Sequence, residues 1–225
     1  MIIRMNAYDR AIQSLQQDIL RMGDKVNKIL ELAMEGLKNQ DQCQCQQVMD
    51  MDNEIDDMDY EIEKKALELI SLQQPMADDL RTLASVLRII KELERIGDFS
   101  VNIAQVSMRL KEKGQYFKPL VDIPRMAELA QAMVTKSLEA FTERDADKAL
   151  EIDKDDDEVD KLFEYLYDEL IDFMKKDSSL VGQASYLSLV ARYLERIGDH
   201  AVNIAEMTIY MTTGERRPFE RVHQE

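Results

Sequence analysis

An eleven-residue phrase occurs twice in this chain, as ERIGDFSVNIA at 94–104 and ERIGDHAVNIA at 195–205, and the two copies differ at two positions. In a chain of 225 residues, an interval of 101 makes the phrase the signature of an internal duplication. Two similar subdomains, or one pseudo-symmetric body, are the folds such a sequence permits. A second pair of motifs agrees: DNEID at 52–56 corresponds to DDEVD at 156–160. The interval is 104 here, so three residues are missing from the second half between the two motifs.

The duplicated phrases belong to helices. Ile12, Leu15, Ile19, Met22, Val26, Ile29, Ala33 and Leu37 step by three or four, which predicts an amphipathic helix over 6–39. Val48, Met51, Ile55, Met58, Ile62, Ala66 and Leu69 predict a second over 42–72. Pro75 opens a turn, and a third helix over about 76–113 stops at Gly114. That helix carries two apolar seams, one through Val86, Ile89, Leu93, Ile96 and Ile103, the other through Leu80, Leu83, Leu87 and Ile90. Glu94 stands where the second seam expects a core side chain, and Gly97 empties the next slot.

The segment GQYFKPLVDIP at 114–124 marks the boundary between halves, which places one repeat at 1–114 and the other at 115–225. The order then recurs, with helices predicted over 124–143, 145–176 and 178–212, and a frayed tail after Gly214. Seven Gly and four Pro in the whole chain leave sheet without its usual turns. The fold class is therefore all-α, with two tandem pseudo-symmetric three-helix bundles made of six long helices. Short connections make neighbouring helices antiparallel.

The acidic side chains are not spread evenly. From Asn39 to Glu63 there are nine acids and no Lys or Arg. Asp52, Asp56, Asp59 and Glu63 lie within about 60° of one another on a helical wheel. Packed side by side, the second and third helices bring Asp52 and Asp56 opposite Glu94 and Asp98. The second half repeats the set with Asp156, Asp160, Glu195 and Asp199. Carboxylates four apart repel one another, and an oxygen-rich cage of this kind suits magnesium, calcium, manganese or iron. The competing reading is a solvated acidic face, with Lys91 or Arg192 pairing at i+3 and Arg95 and Arg196 clamping neighbouring carboxylates. Asn102 and Asn203 serve equally well as ligands or as helix-packing hydrogen-bond donors.

Other chemistry finds little support. The formal charge of −16 and the lack of a dense basic cluster argue against nucleic acid. Cys43 and Cys45, two apart on a helix, suit free thiols in a reducing cytosol rather than a disulfide. No glycine-rich phosphate loop or nucleophile–base pairing is present. Neither His200 nor His223 sits three residues after a motif glutamate, as a ferritin-like di-metal oxidase requires. His200 is matched by Phe99 in the first repeat, which speaks against an essential ligand role.

The two phrases, with PMADDLRTLASVLRIIKELERIGD leading into the first, resemble the PhoU family of accessory proteins of phosphate-specific transport, and the resemblance covers essentially the whole chain. It implies two similar three-helix bundles and metal ions (iron, manganese, zinc or magnesium, in multinuclear clusters) on Asp52, Asp56, Glu94, Asp98, Asp156, Asp160, Glu195 and Asp199. It also implies a homodimer in the cytoplasm, peripheral to the inner membrane. Such a protein would be a negative regulator contacting the ATPase subunit of the phosphate importer and a sensor histidine kinase. One departure bears on site equivalence: Asp78-Asp79-Leu80-Arg81 opens the third helix, whereas Ser179-Leu180 stands at the matching place. A carboxylate-bridged metalloenzyme, oxidase or hydrolase, is the alternative, and a metal-free acidic scaffold is a third.

Overall fold

The computed structural model describes residues 7–215, so the tail from 216 onward, with His223, lies outside the described residues. The first bundle comprises α1 (Ala7–Asn39), α2 (Gln42–Gln73) and α3 (Asp78–Lys111). The second comprises α4 (Asp122–Glu143), the short α5 (Ala146–Leu150), α6 (Ile152–Lys176) and α7 (Val181–Thr213). No strand occurs among the described residues. The fold is all-α, two pseudo-symmetric three-helix bundles in tandem.

The apolar stripes are the reason. Ile19, Met22, Val26, Ile29, Ala33 and Leu37 of α1 are all fully buried. Both seams of α3 are filled: Val86, Ile89, Leu93 and Ile96 on one, Leu83, Ile90, Gly97 and Ala104 on the other. Each fully buried Leu or Ile contributes about 1.5–3 kcal/mol relative to exposure, so these stripes outweigh the charge repulsion along the same helices. Leu80 departs from its expected seam place and is exposed.

Capping explains several boundaries. Asp41 accepts from the Cys43 amide at 2.8 Å and starts α2. Gly214 adopts φ +76° and closes α7. Two differences from the sequence reading stand out in the second half. The helix expected over 145–176 is divided at Glu151, whose amide bonds to Lys148 O at 3.3 Å in a tight turn. Asp145 caps the short piece by accepting from Asp147 and Lys148 amides, both at 3.0 Å. Before α7, a single 3₁₀ turn at Ser178–Leu180 is capped by Asp177.

The bundles lie side by side, α3 against α7 and α1 against α4. The central pair is antiparallel. At one end Ser85 Oγ donates to Met207 O at 3.2 Å, and farther along the rings of Phe99 and Tyr193 stand 5.8 Å apart. Gly23 lets α4 come close, since a Cβ there would run into Leu138 Cδ1. The connection between bundles is pinned to both: Tyr116 Oη donates to Leu37 O at 2.6 Å, and the Phe117 amide to Gln183 Oε1 at 2.8 Å.

Candidate metal centres

In each half the glycine of ERIGD makes room for a carboxylate from the neighbouring helix. A Cβ at Gly97 would lie 2.9 Å from Asp52 Oδ1, and one at Gly198 would lie 3.0 Å from Asp156 Oδ1. The surroundings repeat as well, with Ile29 and Ile55 around Gly97 and Met133 and Val159 around Gly198. Asp52 and Asp156 therefore reach into clefts floored by core side chains, α2 against α3 and α6 against α7.

The electrostatics report the crowding. Burial, then the charges of Asp56, Asp98 and Glu94, push the Asp52 carboxyl up to about 6. Glu94 is also raised, by burial and by Asp98, with Arg95 opposing. Glu195 is raised by burial and by Asp199, against Arg192 and Arg196, with Asp160 adding to the rise. Asp52, Asp56, Glu94 and Asp98 thus feel one another, as do Asp160, Glu195 and Asp199, while Asp156 faces Gly198 beside them.

Arginines occupy the mouths of both clefts. Arg95 lies 3.5 Å from Glu94 and 2.9 Å from Asp98. Arg196 lies 3.7 Å from Glu195 and 3.0 Å from Asp199, and Arg192 adds a 2.7 Å contact to Glu195. In this arrangement no three His, Cys, Asp or Glu side chains among the described residues close into a coordination set. The two clefts are not equally enclosed: the Glu94 and Asp98 side chains are 25% and 41% exposed, those of Glu195 and Asp199 14% and 19%.

The donor sets fit a hard or borderline cation. They consist of carboxylate oxygens, each glycine admits an aspartate to its cleft, and Glu195 Oε2 is buried with Arg196 Nε 3.7 Å away and no hydrogen-bond partner. A buried acceptor left unsatisfied costs about 1–3 kcal/mol or more, and a cation removes that cost.

Residues the sequence reading weighed as ligands or pairs take other posts. Asn203 Nδ2 donates to Glu92 Oε2 at 2.9 Å, and His200 Nδ1 lies 2.6 Å from the same oxygen. Both belong to the α3–α7 seam. Burial works against the Glu92 charge, but these two hydrogen bonds outweigh it and hold the carboxyl below its usual range. Glu92 was not singled out in the sequence, where its counterpart in the second copy, Tyr193, was the available signal. Lys91 does not turn to Glu94; it bonds Asp59 at 2.5 Å and reaches Glu63 at 3.4 Å.

Paired three-helix bundles with an inter-helical carboxylate cleft in each define a duplicated all-helical protein, and the comparisons agree. The PhoU domain model matches twice, over residues 19–107 and 123–208. The chain belongs to the PhoU family. It is 39% identical over 211 residues to the phosphate-specific transport system accessory protein PhoU homologue of Clostridium acetobutylicum, covering 93% of this chain and 95% of that one. The first such homologue of Methanothermobacter thermautotrophicus is 34% identical, over 93% of this chain and 95% of its own. The crystal structure of PhoU from Pseudomonas aeruginosa superposes with a TM-score of 0.88 at 32% identity, covering 92% of this chain and all (100%) of that one. The phosphate transport system regulatory protein PhoU from Streptococcus pneumoniae gives 0.88 at 28% identity, over 94% of this chain and 100% of that one.

Proposed function

We propose that this chain is a non-enzymatic regulator of phosphate uptake and of phosphate-starvation signalling, a metal-binding adaptor between the phosphate importer and its sensor kinase. One observation carries the reading: both halves, over almost the whole chain, match proteins named as accessories of phosphate-specific transport. No described helix is long and apolar enough to cross a membrane, which suits a protein that works beside a transporter. In this reading it acts in the cytoplasm as a homodimer and restrains the starvation response.

The metal would be held by Asp52, Asp56, Glu94 and Asp98 in the first half and by Asp156, Asp160, Glu195 and Asp199 in the second. Bound there, it would supply positive charge at the junction of two helices and cross-link them. The protein's own contribution is positional. Gly97 and Gly198 admit an aspartate that any side chain would displace. Arg95 and Arg196 meanwhile act as internal counterions to the helix-3-type carboxylates. Oxygen ligands select loosely among iron, manganese, zinc and magnesium.

Two measurements test the reading separately. Elemental analysis of the wild type beside Glu94→Gln/Glu195→Gln is expected to show metal in the first and a deficit in the second; equal contents reject the assignment of these residues. A pulldown in metal-replete buffer is expected to retain the importer ATPase and the sensor kinase, and retention of neither rejects the adaptor role.

A further inference from the structure

The two halves differ along one groove. Between α6 and α7 lies a cavity of about 590 Å³, lined by Phe163, Tyr167, Ile171 and Met174 from α6 and by Leu189 and Arg192 from α7. Tyr167 is 48% and Leu189 42% exposed, so this is apolar surface open to solvent rather than core. Ser185 and Ser188 keep the α7 wall low. From Phe163 to Met174 the α6 wall runs roughly 16 Å at 1.5 Å per residue, the length of three helical turns.

The first half lines its counterpart differently: a cavity of about 410 Å³ there is bordered by Tyr60, Glu63, Lys64, Leu67 and Glu68, all of them on α2. Register places Asp59 and Glu63 where Phe163 and Tyr167 stand, and Leu87, Arg88 and Lys91 where Ser188, Leu189 and Arg192 stand. There Lys91 bonds Asp59 and Glu63. In the second half Arg192 instead lies over the Phe163 ring, 5.6 Å from its centroid, while also bonding Glu195. Arg192 thus joins the groove to the second carboxylate cleft.

Charge indicates the occupant. Next to the apolar row on α6 runs an exposed acidic row, Glu164, Asp168 and Asp172, spaced at i, i+4 and i+8. The whole chain carries −16. The geometry points to this groove as the docking site for one amphipathic partner helix of about three turns, apolar on the face it buries and lined with Lys or Arg on the flank that meets α6. The inference deepens the adaptor reading and rests on it for the existence of a protein partner, not for its identity and not for metal.

The test uses the full chain and a fluorescein-labelled peptide of about 14 residues, with Leu at i, i+4, i+7 and i+11 and Lys along one flank. A second peptide replaces each Lys with Glu. Fluorescence anisotropy is expected to show binding of the Lys peptide that weakens with added NaCl and little binding of the Glu peptide. The charge-neutral groove variants Ile171→Asn and Leu189→Ser should each weaken it by about tenfold, or ~1.4 kcal/mol. Leu72→Ser, at a 76% exposed leucine on α2, should leave it unchanged. Circular dichroism confirms that each variant is folded. Equal binding by wild type and groove variants overturns the proposal, as does equal binding of the two peptides. Two further outcomes also overturn it, by assigning the groove elsewhere: a wild-type dimer in sedimentation that Leu189→Ser dissociates, or anionic vesicles that retain wild type and release Leu189→Ser. Neither the importer nor the kinase enters this assay, so its failure leaves the adaptor reading standing.

Discussion

Lys91 and Arg192 occupy the same place in the two halves and do opposite things. Lys91 reaches across to α2 and neutralises Asp59 and Glu63. Arg192 bonds Glu195 on its own helix and covers the Phe163 ring of α6. The difference originates on the facing helix, where two acids in the first half are replaced by Phe163 and Tyr167 in the second. A cation follows the best acceptor within reach. The two residues on the facing helix therefore decide whether the adjoining carboxylate cleft has one cation at its mouth or two. Duplication preserved the motif and its glycine, while the row beside them was left free to change.

Metal loading should break or sharpen that contrast most. The first cleft faces Arg95 alone, the second Arg192 and Arg196, so manganese titration is expected to be biphasic with the first cleft filling first. Glu94→Gln should remove the tight phase and Glu195→Gln the weak one, read by calorimetry. Each filled site adds about 2.7 kcal/mol of stability at one hundred times its Kd. A single phase lost equally in both variants would make the clefts equivalent.

Removing the two cations separately comes next. Lys91→Met leaves Asp59, whose side chain is 11% exposed, without its partner. The expected loss is about 2 kcal/mol in urea unfolding, below the figure for a fully buried pair because Lys91 itself is half exposed. Arg192→Met should cost less than about 1 kcal/mol, since Glu195 is already disfavoured as an anion and Arg196 remains beside it.

The pH response has a definite sign. Asp52 titrates at about 6 in the folded chain against an ordinary 3.8. Between these values the folded state holds a proton that the unfolded state has lost, so metal-free stability falls as pH rises through this window. Asp52→Asn should flatten that slope and raise metal-free stability at neutral pH by about 1 kcal/mol, or ~2–4 °C in Tm. A saturating divalent cation should reverse the wild-type slope, because it competes with the proton. The smallest effect is expected from Arg192→Lys, which exchanges a delocalised cation over Phe163 for a point charge and should cost about 0.5 kcal/mol.

Much of this was legible in the amino-acid order. The α1 stripe from Ile19 to Leu37 is buried as its spacing requires, and Gly97 opens the seam that the periodicity left empty. Periodicity works here because helical burial depends on local spacing alone. The division at Glu151 was hidden, since no Gly or Pro marks it and the Asp145 cap is the only local cue. The seam was hidden for a different reason. Glu92 meets His200 and Asn203 more than a hundred residues away, and a polar side chain on a helix does not announce which distant helix will receive it.

That seam has a consequence for how many molecules the chain engages. Glu92 with His200 on one side corresponds to Tyr193 with Phe99 on the other, a polar contact facing a pair of rings. A symmetric pair of half-length chains would be obliged to make one of these contacts twice. Fusing the copies removes that obligation, so the body is lopsided by construction. Its stoichiometry follows: a ligand that reads the shared motif should bind two per chain, and one that reads the groove beside Phe163 should bind one.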